Sequence, residues 1–316
     1  MKLTPRLALL MTLPPLLWAG NAVVGRWIAG GAAAGQPGAA LVPPLTLNLL
    51  RWVITFFILL PLAGRALRPW SRISRRWPYL LAAGVLSVGV YNALQYLALN
   101  TSSPLNVTLV AASMPVWMLA VGALFYGEHP TRRQLMGAAC GLLGVATVLG
   151  RGSLHTLLQV QFVPGDLYVL LAVIGWAFYS WLLARPPAHM QGDQRPDWNW
   201  AGFLLVQTLF GIGAAGLFAG GEQALGATPI QWSGGVVAAL LYLSLGASVV
   251  AYRCWGLGVA EGGPALAAFF NNLTPLFAAL LSALMLGEVP QGYHAVAFGL
   301  IVAGIVVSGA SLRARS

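Results

Sequence analysis

Apolar residues in this chain come in long runs rather than in alternation with polar ones. A run of about 20 residues is long enough to cross the hydrocarbon core of a bilayer as a helix. Ten such runs can be cut, at roughly 7–29, 44–63, 79–99, 103–126, 132–150, 166–185, 199–219, 235–258, 263–286 and 292–311. The connectors between them are short. The cuts at 100–103 and 259–263 are followed by Pro104 and Pro264, and a proline in the first turn sacrifices no helical hydrogen bond. Both therefore open a new helix.

One stretch of this pattern recurs without a gap. Pro104, Pro115, Gly127-Glu128, Pro130 and Gly144 return 160 residues later as Pro264, Pro275, Gly287-Glu288, Pro290 and Gly304. The chain thus divides into two repeats, 1–150 and 151–316, joined near the proline-rich segment 186–198. An odd number of spans per repeat inserts the second copy upside down, the architecture of alternating-access carriers. The expected fold is all-α and integral to the membrane, ten transmembrane helices built as two inverted five-helix repeats acting as one transport unit.

Composition supports the membrane and removes other classes. Charged residues make up 8% of the chain and mean hydropathy is +0.77, against about 25% charged in soluble proteins. The net charge of +10 does not point to nucleic acid, because the cations sit in short connectors. With the N-terminus inside, the inner segments hold Lys2 and Arg6, the group Arg65 to Arg76, Arg132 and Arg133, Arg185 and Arg195, and Arg313 and Arg315. The outer connectors hold only Arg151. The positive-inside rule then puts both termini in the cytoplasm. Arginine almost wholly replaces lysine and Ala and Gly abound, hinting at a GC-rich bacterial source and so an inner (plasma) membrane.

No enzyme signature is present. The four histidines lie in or near connectors, Cys140 and Cys254 fall in apolar runs without a CxxC, and no phosphate-binding glycine loop occurs. No metal and no cofactor are expected. The expected partners are a small-molecule substrate and membrane lipid, with the monomer sufficient for function. None of the seven acidic residues falls at the centre of a span, where proton pumps keep a carboxylate. That favours a facilitator or an exchanger. Glu128 and Glu288 read as turn caps.

The polar residues inside the runs fall in stripes. Ser87, Tyr91 and Gln95 share a face of the third run with Asn92 beside them, and Trp117 lies on the fourth. Trp18 and Asn21 mark the first run, Asn48 and Arg51 the second, Trp176 and Tyr179 the sixth, Asn271 and Asn272 the ninth. Amides in mid-membrane either bond a partner helix or line a wet cavity, and both readings stand at this level. Arg51 is the deepest cation. It either takes an anionic group or pairs with backbone carbonyls. Arg26 and Arg253 lie near span ends, within snorkelling reach of the interface. Pro115 and Pro275 free a carbonyl one turn earlier, marking either gating bends or static kinks.

Five spans per half, each half ending in Pro-x11-Gly-Glu-x-Pro and a glycine-rich helix, resemble the drug/metabolite transporter superfamily and within it the EamA branch of ten-span carriers. Trp18-Ala19-Gly20-Asn21 is similar to the polar-aromatic opening of the first span there. The aromatic load of Trp18, Tyr91, Trp117, Trp176 and Tyr179 is similar to that of bacterial amino-acid exporters of the YddG type. The resemblance implies a central cavity between the halves and export of small metabolites, amino acids with aromatic side chains included. An organophosphate or nucleotide-sugar exchanger is the runner-up and requires more than one cation in the cavity. A membrane-embedded enzyme or scaffold is the alternative of another class.

Reporter fusions test this topology. Fusions at either terminus, or in 64–78 and 127–132, should report the cytoplasm, and an external signal from either terminus overturns the even span count.

Overall fold

The computed structural model describes residues 3–28, 40–98, 102, 104–286 and 291–309. All regular elements among them are helices. Gly287-Glu288, Pro290, the side chain of Arg26 and the terminal Lys2, Arg313 and Arg315 lie outside the described residues. In chain order the long elements are α1 (Pro5–Ile28), α2 (Pro44–Ala63), α3 (Trp77–Ala98), α4 (Pro104–Ala111), α5 (Met114–Tyr126), α6 (Arg132–Leu149), α7 (Pro164–Ala184), α8 (Trp200–Ala224), α9 (Gly234–Asn271), α10 (Thr274–Leu286) and α11 (Gly292–Gly309).

Eight helices among the described residues are long and apolar enough to cross a membrane by length and composition. The difference from ten apolar runs has local causes. The ninth run does not stand alone: its first residues continue α9, and its remainder is the 13-residue α10. The only break in α9 is Gly263, at φ 81° and ψ 158°, directly before Pro264. A side chain is strained at that φ, so glycine carries the turn. The fifth run, α6, opens with Arg132-Arg133-Gln134, capped by Thr131 through a reciprocal box with Gln134.

The sequence repeat persists as local structure at the same offset. Helices α5 and α10 correspond residue for residue, as do α6 and α11. Turns at 112–113 and 272–273 interrupt both copies just before Pro115 and Pro275. Most tellingly, α3 and α9 each contain one π-helical turn, Val85–Val90 and Leu245–Val250.

Contacts between the copies are reciprocal. A Cβ on Gly137 of α6 would lie 2.7 Å from the Gly304 carbonyl oxygen of α11, and one on Gly304 2.7 Å from that of Gly137. A Cβ on Gly144 would lie 3.0 Å from the Ala297 carbonyl oxygen. Ala297 and Gly304 stand at the repeat positions of Gly137 and Gly144, so each copy offers the other the same surface.

Polar ties join the helix ends. Arg6 pairs with Glu261 at 3.1 Å, and Arg185 with Glu128. Glu128 therefore reaches across to α7, while Gly127, at φ 67°, ends α5. Glu222, in the last turn of α8, accepts from the Leu45 and Thr46 amides at 2.9 and 2.7 Å and so caps α2. Asp166 lies buried in the first turn of α7. It accepts from Ser102, from Asn106 Nδ2 at 3.0 Å and from the Val163 amide at 2.9 Å. Arg76 donates to the His189 carbonyl at 3.0 Å and to that of Gln194 at 2.5 Å.

The α6–α11 seam gives a direct test. Gly137→Leu should lower the unfolding temperature of the detergent-solubilised protein, since overpacking costs about 1–3 kcal/mol. Gly299→Leu on α11, where an added Cβ meets open space, should not. Equal effects would mean that the seam is not close-packed.

Candidate functional site

Rings from both repeats meet in the interior. Trp176 of α7 lies 5.4 Å from Trp18 of α1, 4.7 Å from Tyr91 of α3, and 5.4 Å from both Tyr252 and Trp255 of α9. Trp52 of α2 joins through Tyr252 at 4.9 Å. Trp176 with Tyr179, and Tyr252 with Trp255, are each three residues apart, which puts each pair on one helix face. Most contacts are edge-on or tilted, the arrangement aromatic quadrupoles prefer.

Polar atoms lace the same region. Gln207 of α8 donates to the Ser87 hydroxyl at 2.6 Å and to the Tyr179 hydroxyl at 3.2 Å. Trp255 Nε1 donates to Ser180 Oγ at 3.2 Å. The indole nitrogen of Trp176 and the amide oxygen of Gln207 are buried without a hydrogen bond, an arrangement native interiors rarely leave unexplained.

A cavity of about 330 Å³ adjoins this cluster, near the lower end of the range for small-molecule pockets, about 300–1,000 Å³. Tyr179, Tyr252 and Gln207, all buried, line it together with Tyr79, Trp200 and Leu257. Pro186, Met190 and Arg195 bring the 186–198 connector to it. Arg253 also lines it, its guanidinium 5.0 Å from the Trp200 ring centroid. Among the described residues no carboxylate lines the cavity.

The two π turns are held by side chains from the opposite repeat. In the first, the Ser87 carbonyl accepts from the Tyr252 hydroxyl at 2.7 Å. In the second, the Ala247 carbonyl accepts from Arg51 Nη2 at 2.9 Å and from Trp18 Nε1 at 3.1 Å. Residues 87 and 247 are repeat equivalents. Arg51 Nε also donates to Ser248 Oγ at 2.6 Å, and the residue is 1% exposed. Its partners are carbonyl, hydroxyl and amide oxygens, with Asn21 Oδ1 at 3.5 Å the most distant. Within the first repeat, Asn48 Nδ2 donates to the Val88 carbonyl at 3.1 Å.

Of the residues singled out from sequence, Trp18, Tyr91, Trp176 and Tyr179 come together, and Tyr179 faces the cavity. Gln95 sits beside the Tyr91 hydroxyl, while Asn92 is buried next to it. Asn21, Asn48 and Arg51 gather instead at the π turns. Trp117, on α5, packs against the main core but lines neither the cavity nor the ring cluster. Asn272 packs on Gly141 of α6 with both amide atoms buried and unbonded, and the Asn271 carbonyl accepts from Thr274 Oγ1 at 2.7 Å. Pro115 and Pro275 are the second residues of α5 and α10, so they start helices rather than kink continuous ones. Tyr252, Trp255, Gln207 and Trp200 were not foreseen, and Arg253, expected to snorkel to the interface, lines the cavity instead. The three-residue spacing of Tyr252 and Trp255 and the single Gln207-Thr208 pair in an apolar run were the available signals. Among the described residues no three His, Cys, Asp or Glu side chains converge as a metal site requires.

The model of the EamA-like transporter family matches residues 6–150 and again 163–310. The Aromatic amino acid exporter YddG of Ancylobacter novellus is 26% identical over 293 residues, 92% of this chain and 94% of that protein. The Uncharacterized inner membrane transporter YedA of Escherichia coli is 28% identical over 274 residues, covering 84% and 81%. A crystal structure superposes with a TM-score of 0.73 over 98% of both chains at 24% identity, a likeness that speaks to the fold alone.

If Arg51 holds the second π turn, Arg51→Lys should destabilise the protein, because one ammonium cannot reproduce the guanidinium fork. Each hydrogen bond lost from a charged donor costs about 1.5–3 kcal/mol, readable as a lower unfolding temperature in detergent. An unchanged midpoint would remove the structural role.

Proposed function

The chain belongs to the EamA-like transporter family of the drug/metabolite transporter superfamily, and from that premise we propose that it is a secondary carrier exporting amino acids with aromatic or apolar side chains. The observation that carries the reading is the cavity lined by the buried Tyr179, Tyr252 and Gln207 and adjoining the ring cluster around Trp176. Aromatic faces would hold the apolar part of a substrate, and the amide and guanidinium groups its polar part. Trp18, Tyr91, Trp176 and Tyr179 are the core of the proposed site. Arg51, Asn21 and Asn48 support it through the π turns. Trp117, Asn92, Gln95, Asn271 and Asn272 remain candidates for contact in another conformation.

Ten spans in two inverted repeats, with both termini in the cytoplasm, are part of this proposal. The polar ties between helix ends favour that threading, for each joins two ends that alternate crossing puts on one side. Arg6 and Glu261, Arg185 and Glu128, and Arg76 and Gln194 would lie inside. Glu222 and Thr46, and Asp166 and Asn106, would lie outside. On this threading the cavity faces the cytoplasm, as an exporter requires for loading. The reciprocal α6–α11 seam is what a two-fold axis in the membrane plane produces. Rocking about that seam, with the turns at 112–113 and 272–273 as the bends, would alternate access. Asp166, Glu222, Glu128 and Glu261 are all engaged at helix ends, so we propose movement down the substrate's own gradient without obligatory proton exchange.

A second reading, an organophosphate or nucleotide-sugar exchanger, is favoured by one observation: both Arg195 and Arg253 line the cavity. Proteoliposomes loaded with a radiolabelled panel separate the two. Phenylalanine, tryptophan or leucine should leave down their gradients, with rates falling at least tenfold in Trp176→Ala or Tyr91→Ala at equal incorporation. Exchange of sugar phosphates with no amino-acid flux would install the second reading. Uphill accumulation driven by an imposed pH gradient would overturn the uncoupled mechanism.

A further inference from the structure

Arg253 is the side chain in the cavity whose chemistry the folded protein leaves unspent. Its guanidinium lies over the face of Trp200 at 5.0 Å. A cation–π contact occupies the flat face of the group and leaves its edge of N–H donors free. Among the described residues Arg253 has no ion pair and no hydrogen bond, in contrast to Arg51, Arg76 and Arg185. It is only partly exposed, yet no Asp or Glu among the described residues lines the cavity to neutralise it. A half-buried cation with no built-in counterion, facing a space of substrate size, is a site for an anion.

The surrounding residues limit which anion. Arg253, Gly256, Leu257 and Ala260 form a single stripe of α9 along the cavity, spaced as one helix face requires. A Cβ on Gly256 would meet open space, so the stripe is recessed beside the guanidinium. Below it stand the rings of Tyr252 and Tyr179. The other cation, Arg195, is exposed and in the connector, where water screens it. One partly buried guanidinium fork matches one carboxylate through paired charge-assisted hydrogen bonds. A phosphate dianion would leave its second charge facing the screened rim.

We infer that Arg253, not Arg51, is the specificity-determining residue that receives the substrate's carboxylate, and that the cavity selects monocarboxylates bearing an aromatic or apolar body. The inference rests on the carrier reading for its meaning but not for its test. Arg195 contributes attraction at the rim. Selection by the carboxylate also predicts that the substrate's amino group is dispensable for binding.

Binding to the purified full-length protein in detergent, followed by thermal shift and intrinsic tryptophan fluorescence, decides this with defined probes. 3-Phenylpropionate and phenylalanine should bind, while phenethylamine and phenylalaninamide should not. Arg253→Gln should weaken 3-phenylpropionate at least tenfold, Arg253→Lys should restore part of that loss, and Arg195→Gln should cost less and mainly at low salt. Gly256→Phe, which fills the recess without touching the charge, should also block the probe. The inference is overturned if no probe binds, if phenethylamine binds as well as 3-phenylpropionate, if phenyl phosphate binds more tightly, or if correctly folded Arg253→Gln binds like the native protein. Arg253-dependent binding without phenylalanine flux in proteoliposomes would remove the carrier reading and leave this site standing. Flux that survives Arg253→Gln would do the reverse.

Discussion

The interior depends on one requirement: a backbone carbonyl withdrawn from the regular helical ladder inside a membrane must find another donor. Water does not reach it, and an unpaired polar group there costs several kcal/mol. At equivalent places in the two repeats a carbonyl inside a π turn takes a side-chain donor, Ser87 within Val85–Val90 and Ala247 within Leu245–Val250. Each repeat answers for the other. Tyr252 bonds the Ser87 carbonyl, and Arg51 and Trp18 bond that of Ala247. The hydrogen bonds therefore fasten the halves together at the depth where their rings meet.

From this fastening the ring cluster follows. Trp18 and Tyr252 are bonded to π turns and simultaneously packed on Trp176. Their positions are fixed at both ends, by a polar bond and by an aromatic contact, so the wall they form is rigid. The cavity opens where this lacing stops, between α7, α8 and α9. Tyr252 and Gln207 belong both to its lining and to the hydrogen-bond network around Ser87.

The α6–α11 seam is built differently. It relies on Gly137, Gly144 and Gly304 bringing backbones close enough for dispersion and weak Cα–H contacts to act without polar groups. Such a surface tolerates small rotations better than a lattice of directed hydrogen bonds. The ties at helix ends, Arg6 with Glu261 and Arg185 with Glu128, are partly exposed ion pairs. Water screening keeps pairs of this kind near 0–1 kcal/mol, so either can be broken cheaply.

The sequence by itself determined the helical class and most helix starts, while the end of α8, the break between α4 and α5 and the boundary between α9 and α10 escaped it. Apolar run length, first-turn prolines and glycine at chain reversals act locally and need no partner. It also picked out Trp18, Tyr91, Trp176 and Tyr179, because large polar-tipped rings within apolar runs are costly without an interior role. Tertiary structure alone decided what the arginines do. Arg51 and Arg253 are each a single cation in an apolar run, told apart in sequence only by depth. One is consumed by the Ala247 carbonyl and Ser248, and the other is left free over Trp200. Nor could helical periodicity foresee the π turns. One extra residue in a turn rotates everything after it by about 100°, so the faces presented by Tyr91 and Gln95, and by Tyr252 and Trp255, depend on a distortion that only the opposite repeat stabilises.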